Sequence, residues 1–185
     1  GKSYVATVAT NDLDLGYILK QEQSIGKISL TADVKGNGTD YKTMTATAHA
    51  VVRSAQLKGY TYTNLIMNAE TNNGNAVIQS SVNDPNIRIS LDAVADVKTK
   101  FPALKINMQV DTLDLNALHL VTGTLQLSGT VHADFTSTDP AAPQGLLEVY
   151  NLSVKQGLQS LSTDTITLEA ARTDSGQLIK AHAEM

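Results

Sequence analysis

Residues 27–36, KISLTADVKG, alternate between polar and apolar side chains with almost no interruption. Ile28, Leu30, Ala32 and Val34 fall on one side of an extended chain, while charged and hydroxyl side chains fall on the other. A strict period of two residues is typical of a strand in an antiparallel sheet with one apolar and one solvated face. The pattern predicts a β-strand and raises the question of what covers its apolar face.

The same alternation returns along most of the chain and predicts ten or more strands. Its further apolar positions are Met44, Ala46, Ala48, Ala50, Val52, Ile87, Ile89, Leu91, Ala93, Leu104, Ile106, Met108, Val110, Leu125, Leu127, Val131, Ala133, Phe135, Tyr150, Leu152, Val154, Ile166, Leu168, Ala170, Ile179, Ala181, Ala183 and Met185. Turn signals separate these runs at residues 35–40, 71–76, 83–86, 100–102, 138–145 and 173–176. We therefore expect an all-β, mostly antiparallel meander.

One segment has two interpretations. Met44–Ala55 has apolar residues at helical spacing as well as at strand spacing. Three threonines in its first half and the predicted strands on both sides favour the strand, because β-branched residues suit a pleated surface.

Two short segments break the two-residue rhythm and resemble each other. Leu-Asp-Leu stands at 13–15 and again at 113–115. Asp14 and Asp114 each precede apolar residues at helical spacing, so we expect each carboxylate to cap a short helical turn. This predicts one to three short helical turns in the fold and a structural role for both residues.

The chain also shows similarity to itself at a distance of about a hundred residues. A predicted strand beginning with glycine follows each Leu-Asp-Leu segment. Aligning the two strands on this glycine matches the apolar positions Ile28 with Leu125, Leu30 with Leu127, and Val34 with Val131. We interpret residues 1–185 as a single fragment of a longer repetitive β array with approximate internal repeats 1–100 and 101–185, whose units pack against neighbouring repeats of the same chain.

The blocks 24–65 and 84–120 resemble the AsmA and TamB group of bacterial envelope proteins, most of all TamB-type translocation and assembly proteins of Bacteroidetes-like bacteria. The resemblance rests on Gly26, Ala32-Asp33, Gly36 and Gly38, on LKGYTYTNL at 57–65, and on the two Leu-Asp-Leu turns. It implies a curled, elongated sheet forming a U-shaped, β-taco-like trough. Neither the membrane helix nor the barrel-binding part of such proteins is identifiable in these residues.

The resemblance also implies a function and a location. Such proteins are anchored in the inner membrane of Gram-negative bacteria, cross the periplasm and work with an outer-membrane barrel of the Omp85 type. We expect a non-enzymatic segment that binds phospholipid and conducts its acyl chains for outer-membrane biogenesis. The expected lipid-groove residues are Ile28, Leu30, Val34, Met44, Ala48, Ile87, Ile89, Leu91, Leu104, Ile106, Met108, Val110, Leu125, Leu127, Val131 and Phe135.

Three alternatives remain open from the residues alone. The first is a scaffold or chaperone that assembles outer-membrane proteins or autotransporters by adding their strands to its sheet edges. The second is a structural β-repeat protein of the cell surface, and the third is an ordinary closed core without ligand. Two Phe and no Trp make a bulky closed core harder to fill.

Composition and motifs argue against other chemistry. A net charge of −4 without runs of Lys or Arg argues against nucleic acid as a partner. The four histidines, His49, His119, His132 and His182, have no metal-ligand spacing, and there is no cysteine. Asp12 with Asp14 could suggest a carboxylate pair, but a cap explains Asp14. We expect no catalytic residues, no metal and no cofactor.

Overall fold

The computed structural model describes residues 2–173 and 176–184 and shows an all-β protein, as the alternation predicts. Strands hold 73% of the residues and helix 3%. Of the predicted turn at 173–176, Asp174 and Ser175 lie outside the described residues, as does Met185 at the end of the last predicted strand.

Within the described residues, eleven strands follow one another in a single antiparallel sheet whose order in space is their order in the sequence. The strands are β1 Ser3–Asp14, β2 Ile25–Asn37, β3 Thr45–Leu57, β4 Tyr60–Asn72, β5 Asn75–Asp84, β6 Ile87–Asp96, β7 Ala103–Asp114, β8 Gln126–Ser137, β9 Gln144–Gln156, β10 Gln159–Thr173 and β11 Gly176–Glu184. One helix, α1 Leu15–Leu19, follows β1. The ambiguous segment Met44–Ala55 is strand from Thr45 onward, because β3 pairs with β2 and β4 along its length.

The sheet is open and curled. Pairing registers shift between Thr10 and Leu13 of β1 and between Val110 and Leu113 of β7. Further shifts lie at about the same level along the strands in β2–β3, in β6–β7 and, between Ser128 and Thr130, in β8–β9, while a second shift in β8–β9, between Phe135 and Ser137, lies near the opposite end. Because a bulge bends its strand and increases the local twist, this line of bulges bends the sheet near the end that carries α1, hereafter the helix-side end.

The hairpins β1–β2 and β7–β8 have a bulge at the same position. When they are aligned on this bulge, the equivalent residues differ from those matched in the sequence. Leu13 pairs with Ile28, and Leu113 pairs with Leu127. Leu127 therefore corresponds to Ile28, whereas the sequence match with Leu125 was wrong by two residues. By the same shift Val34, which pairs with Ala6, corresponds to Ala133, which pairs with Ile106, and not to Val131.

Hydrogen bonds join successive turns along both ends of the sheet. At the helix-side end the Lys58 amide donates to the Ser24 carbonyl oxygen at 2.8 Å, and the Gly157 amide donates to Thr124 Oγ1 at 2.9 Å. At the opposite end the Asn73 amide donates to the Met44 carbonyl oxygen at 3.1 Å. These bonds fix neighbouring hairpins relative to each other. A single-layer sheet has no packed core that could do so.

Candidate functional site: the apolar face

One face of the sheet carries apolar side chains in rows that cross the strands. The first row, set by the pairing registers, contains Ala6, Val34, Ala48, Ala69, Ile78, Ala93, Ile106, Ala133, Leu147, Leu168 and Ala181. The second contains Val8, Ala32, Ala50, Met67, Ser80, Leu91, Met108, Val131, Val149, Ile166 and Ala183. Ser80 is the one polar side chain in the two rows, which together form a continuous apolar band across all eleven strands.

No second layer of protein covers this band within the described residues. Every extensive contact between elements joins strands adjacent in the sheet, or α1 with β2. The buried apolar residues in that part of the chain are Val110, Leu118 and Ala133. A closed core, which periodicity alone left open, is therefore not the architecture of the described residues.

The apolar face is nevertheless more sheltered than the opposite face. In the second row every residue between the two edge strands is half-buried. Since no layer packs over them, the shelter comes from neighbours on the same face, as expected when a sheet curls toward that face. We therefore take the band as the inner face of the curled sheet, hereafter the trough.

The structure brings most of the expected groove residues together on this face. All of the sixteen except Met44 and Leu125 lie within strands, and those two immediately precede β3 and β8. Val110 is buried and the other fifteen are half-buried. Their side chains offer hydrocarbon surface and no ionisable group, so the face can hold apolar chains by contact alone.

The opposite face carries a ladder of hydrogen-bonding side chains, beside a row in which Val5, Val77 and Val94 are exposed. One row across the strands reads Thr7, Asp33, His49, Asn68, Gln79, Asp92, Asn107, His132, Glu148, Thr167 and His182. Neighbours bond to each other: Thr7 Oγ1 donates to Asp33 Oδ1 at 2.7 Å, and Gln79 Nε2 donates to Asp92 Oδ1 at 2.9 Å. An open depression of about 360 Å³ lies on this face beside Lys35, His49 and Glu70. Most of its lining side chains are polar, although Ala48 and Ala69 of the first apolar row also line it.

The four histidines lie in two environments. His49, His132 and His182 are exposed on the polar ladder, while His119 lies in the connection between β7 and β8. Among the described residues no group of three or more His, Cys, Asp or Glu side chains is placed to hold a metal ion.

Both predicted caps are formed. Asp14 Oδ1 accepts a hydrogen bond from the Tyr17 amide at 2.9 Å and begins α1. Asp114 Oδ1 accepts from the Ala117 amide at 3.0 Å, but residues 115–119 form hydrogen-bonded turns and no helix. The Ala117 amide, together with Gln126 Nε2 at 2.8 Å from Oδ2, lowers the pKa of the Asp114 carboxyl.

Replacing either cap by alanine is expected to cost stability and to leave ligand binding unchanged. Asp14→Ala and Asp114→Ala should each lower the free energy of unfolding by about 0.5 to 2 kcal/mol. The loss should be larger for Asp114, which also accepts the Gln126 bond. Urea denaturation measures the effect; loss of binding with unchanged stability would make these carboxylates functional instead.

Sequence reasoning missed a buried carboxylate, Asp84, at the helix-side end of the apolar face. Asp84 is 2% exposed. The Tyr60 hydroxyl and the Asn86 amide donate to its Oδ1, the latter at 3.0 Å, and the amide and hydroxyl of Thr63 donate to Oδ2 at 3.0 and 2.8 Å. In the sequence, the Asp-Pro-Asn turn indicates only the local bond between Asp84 and the Asn86 amide. The other partners, Tyr60 and Thr63, are more than twenty residues away and could not be predicted from it.

Burial and hydrogen bonding act in opposite directions on Asp84. Burial by itself would raise the pKa of the carboxyl, but the bonds from Tyr60, Asn86 and Thr63 outweigh it and hold that pKa below its usual value. Burial and the bond to Asp84 raise the pKa of the Tyr60 hydroxyl. The site is a polar network in which the buried side-chain atoms have hydrogen-bond partners.

Comparisons with known proteins add no relative. No family model matches the chain, and neither the curated proteins nor the solved structures contain a significant match. Among the described residues no helix has the length and apolar character needed to cross a membrane.

Proposed function

We propose that this chain binds phospholipid acyl chains along the apolar face and conducts them across its strands. The observation that carries the proposal is the apolar band, which no second layer covers within the described residues and whose first row is apolar from β1 to β11. Soluble monomers rarely expose contiguous apolar patches larger than a few hundred Å², and larger patches are typical of interaction sites.

The dimensions and chemistry of the band suit hydrocarbon chains. Ten inter-strand spacings of about 4.8 Å give a path of about 48 Å along the sheet. Each methylene moved from water onto such a surface gains about 0.8 kcal/mol. Because the two rows offer almost no hydrogen-bonding side chains, a bound chain has no fixed polar anchor and can slide.

The cellular setting of the proposal comes from the resemblance carried by Gly26, Gly36, Gly38 and the Leu-Asp-Leu turns. On that resemblance the segment is proposed to belong to an AsmA/TamB-like protein of the periplasm, with an Omp85-type barrel as partner of the full-length protein. The proposed role is non-enzymatic and needs no cofactor.

Native mass spectrometry of protein purified without detergent tests the proposal. We expect phospholipid to accompany the folded chain, and we expect lipid-stripped protein to take phospholipid up again from vesicles. A folded protein that carries no lipid in either experiment would contradict it.

A second candidate is strand addition, in which an incoming chain pairs with a sheet edge. Within the described residues β1 and β11 each pair with one neighbour only, and every residue of β11 is exposed. This function predicts that photo-crosslinks from β11 capture peptide, whereas the first predicts lipid adducts on the apolar face.

A further inference from the structure

The connection between β7 and β8 reaches back across the helix-side end of the sheet. Residues 115–120 fold into a compact turn, in which the Leu120 amide donates to the Leu115 carbonyl oxygen at 2.9 Å. From this turn His119 Nδ1 reaches the Lys58 carbonyl oxygen at 3.1 Å. Lys58 belongs to the β3–β4 turn, so the contact passes over the β5–β6 turn that lies between them in strand order.

Further interactions hold the contact between His119 and Lys58 in place. Leu118 is fully buried, the largest such side chain among the described residues. The rings of Tyr60 and His119 meet edge to face with centroids 6.2 Å apart, and Tyr60 donates to the buried Asp84 on β5. The Asp114 amide donates to the Asn86 carbonyl oxygen of the skipped turn at 2.9 Å. These contacts thus link the β3–β4, β5–β6 and β7–β8 connections at the helix-side end.

This contact requires a bent sheet. On a flat sheet the β3–β4 and β7–β8 connections are separated by four strand spacings, about 19 Å. A loop whose first six residues are folded into a tight turn does not extend that far. The two connections meet because the strands between them curve around.

We infer that residues 115–125 form a strap that fixes the curl of the sheet, and with it the width of the apolar trough, at the helix-side end. The described backbone bonds at the opposite end join adjacent turns, as between the Val97 amide and the Gly74 carbonyl oxygen at 2.7 Å. The strap acts whatever the trough binds, so this inference does not depend on the proposed lipid ligand.

Spin-label distances test the strap directly. The chain has no cysteine, so Thr61→Cys on β4 and Lys155→Cys on β9, both exposed near the helix-side end, give one defined label pair. In the full chain carrying Leu118→Ala and His119→Ala we expect the label distance to lengthen by about one strand spacing, about 5 Å, and to broaden. His49→Ala, an exposed histidine that bonds Asn68 on the polar ladder, is the matched control and should change nothing.

The readout separates the possible outcomes. A folded double variant with the distance and width of the parent protein would overturn the inference. If the double variant is not folded, His119→Ala alone decides, because its side chain is exposed. A broadened distance in that single variant supports the strap, and an unchanged distribution refutes it.

Discussion

Replacing Ile106 by aspartate is expected to remove most of the bound lipid while the chain stays folded. Ile106 lies half-buried in the first apolar row, between Ala93 and Ala133. A carboxylate facing hydrocarbon costs roughly 2.5 to 3.5 kcal/mol, so lipid affinity should fall by at least about 50-fold. Because the face is open, the new charge can reach water, and the free energy of unfolding should fall by no more than about 1 kcal/mol.

The neighbouring residue supplies the control for this change. Asn107→Asp introduces the same charge one position along β7, on the exposed polar ladder, and should leave lipid binding intact. Lipid binding follows from quantitative extraction, and stability follows from urea denaturation. An unfolded Ile106→Asp protein would indicate a closed core, where an unpaired charge costs several kcal/mol. A folded variant with undiminished lipid would exclude this face as the binding surface.

The second large effect is expected at Asp84. Asp84→Ala removes the acceptor of bonds from Tyr60, Thr63 and Asn86 and leaves these half-buried donors without that partner. Each such loss costs about 1 to 3 kcal/mol, so the free energy of unfolding should fall by about 3 kcal/mol or more. Asp92→Ala, which removes an exposed carboxylate bonded to Gln79, should change stability by no more than about 1 kcal/mol.

The same carboxylate gives a pH dependence of known sign. Its pKa in the folded chain lies below the unfolded value, so its contribution is present above the unfolded pKa and disappears as the pH falls through the folded pKa. The difference in stability between the parent protein and Asp84→Ala should therefore shrink below about pH 4. A constant difference from pH 7 to pH 3 would show that the carboxylate is not stabilised by these bonds.

The alternation predicted the strands where it was uninterrupted and missed them where it was not. Ile87–Asp96 is strand as the pattern indicates. β5 was not predicted, because Val77 beside Ile78 and Ser80 on the apolar side break the period, and its place in the sheet is set by pairing with β4 and β6. Strands also run longer than their apolar positions, since ladder bonds continue through alanine, serine and threonine.

What the sequence could not supply were the long-range partners. Asp84 meets Tyr60 and Thr63, and His119 meets Lys58, only after the hairpins have paired and the sheet has curled. The β1–β2 connection spans residues 15–26 between paired ends, and the β7–β8 connection spans 115–125 and is one residue shorter. Matching Gly26 with Gly123 required a connection three residues shorter, so the repeat was misaligned by two residues. Pairing across the shared bulge, unlike the match of the glycines, gives the actual difference in length.

Photo-crosslinking from adjacent residues on opposite faces tests the lipid trough most directly. A photoreactive amino acid at Ala69 or Ala93 points from the first apolar row, and one at Asn68 or Asp92 points from the polar ladder of the same strands. In the presence of phospholipid vesicles we expect lipid adducts at Ala69 and Ala93 and none at Asn68 and Asp92. Equal adducts on both faces, or adducts on the polar ladder alone, would contradict a lipid-binding trough.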